Sequence, residues 1–297
     1  MGNVNIVEWS KGIAYEIAFW NNVYRWNHTF QGMMDWSNYN KVINLEGFDA
    51  NQYLSSLDNP VVLDVGCGMS YATGNYICRG DSKQLLDIHY IDPLANYFNR
   101  ILHKYHKQLP EIEFGMIEYL SAFYTQHDVD LVMVQNALDH SANPIKGIYE
   151  ALDILRINGI LYLNHHVNEA ETEHYKGFHK YNICQEGDNL IIWNKSERWN
   201  INELLAPIAD VKVSFENNRH VVAVITKKAT INTSLLSDKA DIKQLCQVVM
   251  QQSMWQRNIS TSVKLKMEYW KFNIIQFFAQ SLPHSMKMRI KRFIKQA

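Results

Sequence analysis

Between Asn59 and Lys228 the chain alternates short apolar runs with amphipathic stretches, the rhythm of strands joined by crossover helices. "PVVLDV" (60–65) reads as a strand opened by proline, and "QLLDIHYID" (84–92) as a second. "PLANYFNRILHKYHKQ" (93–108) reads as a helix with proline in its first turn, and "EIEFGMI" (111–117) as a third strand. "VDLVMVQNAL" (129–138) is a fourth strand, "NPIKGIYEALDILR" (143–156) a helix and "GILYLNHH" (159–166) a fifth strand. "DVKVSFENNRHVVAVITKK" (210–228) alternates about Asn217-Asn218, as a hairpin does. The pattern predicts a doubly wound α/β domain over 59–228.

Two flanks and one interruption complete the organisation. Residues 1–58 carry Trp9, Trp20, Tyr24, Trp26, Trp36 and Tyr39 with no strand-like run, and are expected to form a helical cap whose rings serve mainly as core. Residues 167–200 form a polar, aromatic excursion, expected as a lid at the ligand edge of the sheet. Residues 229–297 are expected to be a helical, basic C-terminal extension.

Composition narrows the classes. With 297 residues, 47% of them hydrophobic, the chain can bury a large core. Its 29 Lys and Arg against 30 Asp and Glu leave no global field for polyanions, so no nucleic-acid partner is expected. Locally the balance differs: within 264–297 eight cations face only Glu268, a net +7. The apolar positions Met286, Ile290, Phe293 and Ile294 share roughly one helical face there, which suits a peripheral contact with an anionic membrane surface. The start lacks a basic segment followed by an apolar core, and no run is long enough to span a bilayer, so the expected place is the cytoplasm; contact of the tail with the inner membrane face stands as one alternative, and a C-terminal helix docked on the domain or on another subunit as the other. Cys67, Cys78, Cys184 and Cys246 form no C-x-x-C pair, against a zinc knuckle or a disulfide scaffold. Oligomeric state is not legible.

The chemistry gathers at strand ends. "VVLDVGCGMSYATG" sets Gly66 and Gly68 after a buried strand and before an expected helical stretch, where open α/β sheets bind ligands. Tyr71 occupies the third glycine position of a dinucleotide fingerprint, and no G-K-S/T follows for a phosphate loop. Asp64, two residues before the first glycine, offers a carboxylate to an ammonium or sulfonium group. Asp92 ends the second strand and can accept both ribose hydroxyls. A nucleoside with a cationic tail fits this pair, and S-adenosylmethionine fits better than NAD.

"LDVGCG", "IDPLANYF" and "DLVMVQNALDHSANP" resemble the corresponding motifs of class I S-adenosylmethionine-dependent methyltransferases over about residues 59–226. The resemblance implies a Rossmann-like sheet of seven strands ending in an antiparallel hairpin. It places the cofactor on Asp64, Gly66, Gly68 and Asp92, with Ile117 in the Met116-Ile117-Glu118 stretch flanking adenine and Asn136 at the end of the fourth strand. Ser70 departs from the pattern, where the family often has a third glycine. A softer resemblance, carried by "NEAE" (168–171), Tyr175, Gly177, His179, Asn182 and "IIWN" (191–194), is to a bacterial subgroup in surface-polysaccharide pathways, and implies a sugar or glycan-linked acceptor.

A hydroxyl acceptor needs a base within hydrogen-bond reach as the methyl arrives. His140 is the first choice, as the base or as the group that orients the acceptor, with Asp139 setting its tautomer. Glu171 and His179 join it as catalytic candidates from the excursion, with Glu169 and His174 behind them. No metal is expected: His174 and His179 lie five apart, and no H-E-x-x-H pattern occurs. The alternatives are a small-molecule or N-methyltransferase, and a non-catalytic scaffold that binds the cofactor without turnover.

Overall fold

A computed structural model describes residues 9, 12–25, 39–105, 108–124, 128–175, 177–232, 236, 263, 267, 270 and 274. Helix α1 (Ile13–Arg25) and the short α2 (Ala50–Ser55) precede strand β1 (Val61–Val65). A hairpin, β2 (Tyr76–Arg79) and β3 (Ser82–Leu85), then leads into β4 (Asp87–Asp92), helix α3 (Ala95–Lys104) and β5 (Glu113–Phe114). After a 3-10 segment, Ile117–Ala122, come β6 (Val129–Gln135), helix α4 (Pro144–Ile154) and β7 (Leu155–His166). The single-turn α5 (Glu169–Thr172) opens the excursion, which continues as β8 (Asn182–Glu186), β9 (Asn189–Trp193) and β10 (Arg198–Asn200). Helix α6 (Ile201–Leu205) and the hairpin β11 (Ala209–Glu216) and β12 (His220–Lys227) close the domain.

The main sheet has seven strands in the order β11-β12-β7-β6-β1-β4-β5. Strands β5, β4, β1, β6 and β7 run parallel, and β12 enters antiparallel beside β7. The chain leaves β1 toward β4 on one side and later returns to β6 on the other, so the switch point lies between the carboxyl ends of β1 and β6. Central β6 is buried at every position but the last, as a strand covered on both faces must be. The hairpin turns at Asn217 and Asn218, both at positive φ, as the alternation about them predicts.

One face of the sheet is covered by α1 and α3: Ile13, Ile17, Trp20 and Tyr24 join Tyr90, Phe98 and Ile101 in one core cluster. Trp26, Trp36 and the basic segment 281–297 lie outside the described residues. The opposite face is covered by α4 and by the excursion, whose Ile183, Leu190 and Ile192 pack with Leu161, Ile201 and Leu205. Residues 182–200 are therefore a three-stranded antiparallel sheet rooted in the core, and only the part before it faces the ligand edge.

Three expected elements differ. No helix follows the glycine turn; the β2-β3 hairpin stands there, turning at Gly80-Asp81 with Gly80 at positive φ, a two-residue turn signal inside a run of mixed polarity. Its first strand is clipped to the cap by Ile43 N donating to Tyr76 O at 2.7 Å. Gln84 and Leu85 belong to that hairpin, so the second parallel strand begins only at Asp87. The third shrinks to Glu113–Phe114 because the chain turns into the 3-10 segment, which Glu150 of α4 holds by accepting from Ser121 N at 2.9 Å and Ser121 Oγ at 2.6 Å.

Glu150 is fully buried, so removing it leaves both donors without this acceptor. Glu150→Ala is expected to lose at least about 2 kcal/mol in urea denaturation, and Glu150→Gln, which keeps an oxygen, distinctly less.

Candidate functional site

The switch point opens into a cavity of about 540 Å³. Its floor is the loop after β1, where Gly66 N and Cys67 N both donate to Ile91 O, at 2.8 and 3.2 Å. Gly66 and Gly68 hold φ of +70° and +55°, and neither position has room for a side chain. A Cβ on Gly66 would stand 2.5 Å from the Ala137 Cβ, and one on Gly68 would stand 2.2 Å from the Trp20 ring. The two glycines thus let the β6 end and the α1 tryptophan close on the loop.

Asp92 closes the floor at the end of β4. One of its oxygens accepts from Gly68 N at 3.0 Å and the other from Leu94 N at 2.7 Å, and each keeps a lone pair for a further donor. Burial pushes its pKa up to about 7 against those amide bonds, and burial together with Asp92 pushes Asp64 up to about 7. Glu118, beside Ile117 on the wall, is raised by burial too, while its Oε1 accepts from Ala142 N at 2.7 Å and Asn143 N at 3.1 Å. Glu16, Glu169 and Glu173 also line the cavity, and no lysine or arginine does among the described residues. Such a chamber favours a cation.

The far wall is built where β6, β7 and the excursion meet. Asn136, at φ +50°, donates its amide to Asn164 O at 2.7 Å and accepts from His166 N at 3.2 Å through Oδ1. The turn that follows carries Asp139 and His140. Asp139 is 2% exposed, and its Oδ2 meets His179 Nδ1 at 2.8 Å and His140 Nε2 at 3.5 Å. His140 Nε2 in turn lies 3.1 Å from His179 Nδ1. Burial favours the neutral Asp139 acid, but His140 and His179 outweigh it and hold its pKa below the usual carboxylate value. Burial likewise opposes charge on His179, yet Asp139 raises its pKa above that of a free imidazole. Trp9 supports both histidines, donating Nε1 to His140 O at 3.0 Å and stacking on Phe178 with centroids 4.8 Å apart. Behind this wall His165 is buried with neither ring nitrogen hydrogen-bonded, and burial drops its pKa to about 4.

Asp64, Gly66, Gly68, Asp92, Ile117, Asn136, His140 and His179 thus line one cavity, although more than a hundred residues of sequence separate the first from the last. Glu171 does not: it is exposed, outside the cavity, and its amide donates to Asn182 Oδ1 at 3.0 Å. In the turn of α5, positions four apart share a side, so Glu169 and Glu173 face inward and Glu171, two residues on, points away. Glu169 lines the cavity instead, beside Glu173. Burial and then Asp139 push its pKa up to about 7, against the pull of His179 and of a hydrogen bond from Asn136. Trp9, Phe178 and Glu16 also line the cavity. They carry no motif, and an aromatic cap gives no sign of which ring reaches the ligand.

A family described as a methyltransferase domain matches residues 63–163, from the middle of β1 to near the end of β7. This segment is a methyltransferase domain. The match covers about a third of the chain and takes in the glycine turn, Asp92, Asn136 and His140. A methyltransferase structure from Aquifex aeolicus aligns at 14% identity over 61% of this chain and 90% of its own, with a TM-score of 0.37. One from Clostridium acetobutylicum aligns at 9% over 69% and 98%, with a TM-score of 0.39. A 16S rRNA N2 G1207 methyltransferase from T. thermophilus, in complex with AdoMet and guanosine, aligns at 13% over 63% and 41%, with a TM-score of 0.34. No curated protein matches the chain.

The raised carboxylates give the methyltransferase a pH signature. Between about pH 4 and 7 the folded protein holds a proton on Asp64 that the unfolded chain has released, so this group's contribution to stability is lost as pH rises through about 7. Asp64→Asn is therefore expected to melt above the wild type at pH 8 without cofactor, with the gap closing by pH 5. Calorimetric titration with S-adenosylmethionine is expected to show wild-type affinity rising through pH 7, as the carboxylates ionise against the sulfonium and ammonium groups, and Asp64→Asn is expected to lose much of that rise.

Proposed function

We propose that the methyltransferase moves the cofactor's methyl group to an oxygen of a neutral polyhydroxyl acceptor, a sugar or a glycan-linked sugar. The observation that carries this is the cavity's lining: carboxylates and imidazoles beside the Trp9, Phe178 and Trp20 rings, with no lysine or arginine among the described residues. A phosphate would be repelled there, whereas hydroxyls find acceptors on every side and ring faces suit the apolar side of a sugar. The softer subgroup resemblance of the segment 168–194 supports the same acceptor and a place in bacterial polysaccharide synthesis.

In this reading Asp92 takes the ribose hydroxyls, Ile117 flanks the adenine, and Asp64 with the Gly66-Gly68 loop carries the methionine end. Asn136 fixes the wall between cofactor and acceptor. The sulfonium is already activated, so alignment supplies much of the rate, with effective molarities of roughly 10⁵ to 10⁸ M for well-held reactants. His140 and His179 orient the acceptor oxygen, and Glu169 receives its proton. As the new C–O bond forms the C–S bond breaks, its electron pair stays on sulfur, and S-adenosylhomocysteine leaves. A carboxylate with a pKa near 7 suits this task better than one at the usual value.

The same carboxylates would hold an ammonium, which makes N-methylation of an amine the second reading. No helix among the described residues is long and apolar enough to cross a membrane. Peripheral contact through the basic segment 281–297 remains part of the proposal on its sequence charge alone.

A panel of hexoses, amino sugars and simple amines, read by S-adenosylhomocysteine release, is expected to show turnover with hydroxyl acceptors; turnover with amines alone would shift the assignment to nitrogen. With the accepted substrate, Glu169→Gln is expected to lose about 10²- to 10⁴-fold in kcat, and Glu171→Gln to stay within about twofold of the wild type.

A further inference from the structure

The Asp139-His140-His179 constellation asks one ring proton to serve two contacts at once. His179 Nδ1 faces Asp139 Oδ2 at 2.8 Å and His140 Nε2 at 3.1 Å, and one ring nitrogen carries at most one proton. If that proton is given to Asp139, nothing on His179 is left for His140. If it is absent, the bare nitrogen lone pair points at a carboxylate oxygen. The third edge, His140 Nε2 to Asp139 Oδ2, is 3.5 Å. The other carboxylate oxygen, Asp139 Oδ1, is buried with no hydrogen-bond partner.

Three lone-pair atoms at edges of 2.8, 3.1 and 3.5 Å describe one face of a metal coordination polyhedron. A cation about 2.0–2.2 Å from its ligands spaces neighbouring ligands about 3.0–3.5 Å apart. One ion would replace the unmatched contacts with three favourable ones. The surroundings agree in sign, because Glu16, Glu169 and Glu173 line the same cavity and no described lysine or arginine does. The frame is also held from outside: Lys180 N donates to Asp139 O at 3.1 Å, and the Trp9-Phe178 stack braces the residue before His179.

We infer that Asp139, His140 and His179 bind one divalent transition-metal ion. Two imidazoles and one carboxylate suit zinc, cobalt or manganese better than magnesium or calcium, which prefer an all-oxygen shell. The ion's remaining positions face the cavity, where an acceptor hydroxyl can coordinate. This deepens the methyl-transfer reading and rests on it for that catalytic use: coordination acidifies the hydroxyl, the proton passes to Glu169, and the oxygen attacks the methyl carbon as the C–S bond breaks. Binding of the ion does not depend on that reading.

The test uses tag-free full-length protein, stripped with a chelator and titrated with Co²⁺ and Zn²⁺ by calorimetry and visible absorption. About one equivalent is expected to bind the wild type, with cobalt ligand-field bands. Expected losses are at least 100-fold for His179→Ala and similar for Asp139→Asn, while His174→Ala, at an exposed histidine of the same segment, binds as the wild type does. S-adenosylmethionine titration of each variant, expected within about threefold of wild type, reports that the fold is kept. No metal uptake by the wild type, or uptake that His179→Ala leaves unchanged, would overturn the site. Metal uptake without cofactor binding would instead leave the site standing and remove the methyl-transfer reading.

Discussion

The bridge that Asp92 makes between Gly68 N and Leu94 N is the constraint on which the site depends. A buried carboxylate is tolerated only when its lone pairs are used, and here the two amides that use them belong to the β1 loop and to the entry of α3. The bridge fixes the glycine turn against the end of β4. With the turn fixed, the Gly66-Ala137 approach sets how near the β6 end can come, and so where Asn136, Asp139 and His140 stand. The chain therefore builds the floor and the far wall of the cavity from one contact outward.

Much of this was legible in the residues. Apolar runs mark β1, β4, β6 and β7 because central parallel strands are buried on both faces, and Asn217-Asn218 marks the last hairpin because few residues adopt its positive φ. Asp64, Gly66, Gly68, Asp92 and Asn136 were legible because they sit at strand ends, where chain order alone determines their neighbours. The β2-β3 hairpin was not, since Gly80-Asp81 lies among polar residues that do not alternate cleanly. Nor was Glu169 separable from Glu171, because "NEAE" has no hydrophobic period and the facing of a single turn is decided by what it packs on.

The metal question turns on the same difference between chain proximity and spatial proximity. Spacing within the excursion pairs His174 with His179, and that pairing gives no site. The structure pairs His179 with Asp139 and His140, about forty residues earlier, because Lys180 N reaches back to Asp139 O across the mouth of the sheet. No period in the sequence encodes such a contact. It follows from the excursion being anchored in the core by Ile183, Leu190 and Ile192 rather than hanging free as a polar loop.

In the proposed reading, charge explains how one chamber serves two ligands. A sulfonium cofactor needs negative surroundings to bind, and loses its charge when the methyl leaves, so the same carboxylates hold the substrate form more tightly than the neutral thioether product. An acceptor bearing phosphate inside the chamber would oppose that field, and a neutral hydroxyl would not. Ionising the buried Asp64 and Asp92 is costly, which their raised proton affinities record, and in the proposed reading a cationic cofactor offsets the cost. In the proposed reading product release follows from the same electrostatics: once the sulfur is neutral, the cavity gains by taking protons or a fresh cation.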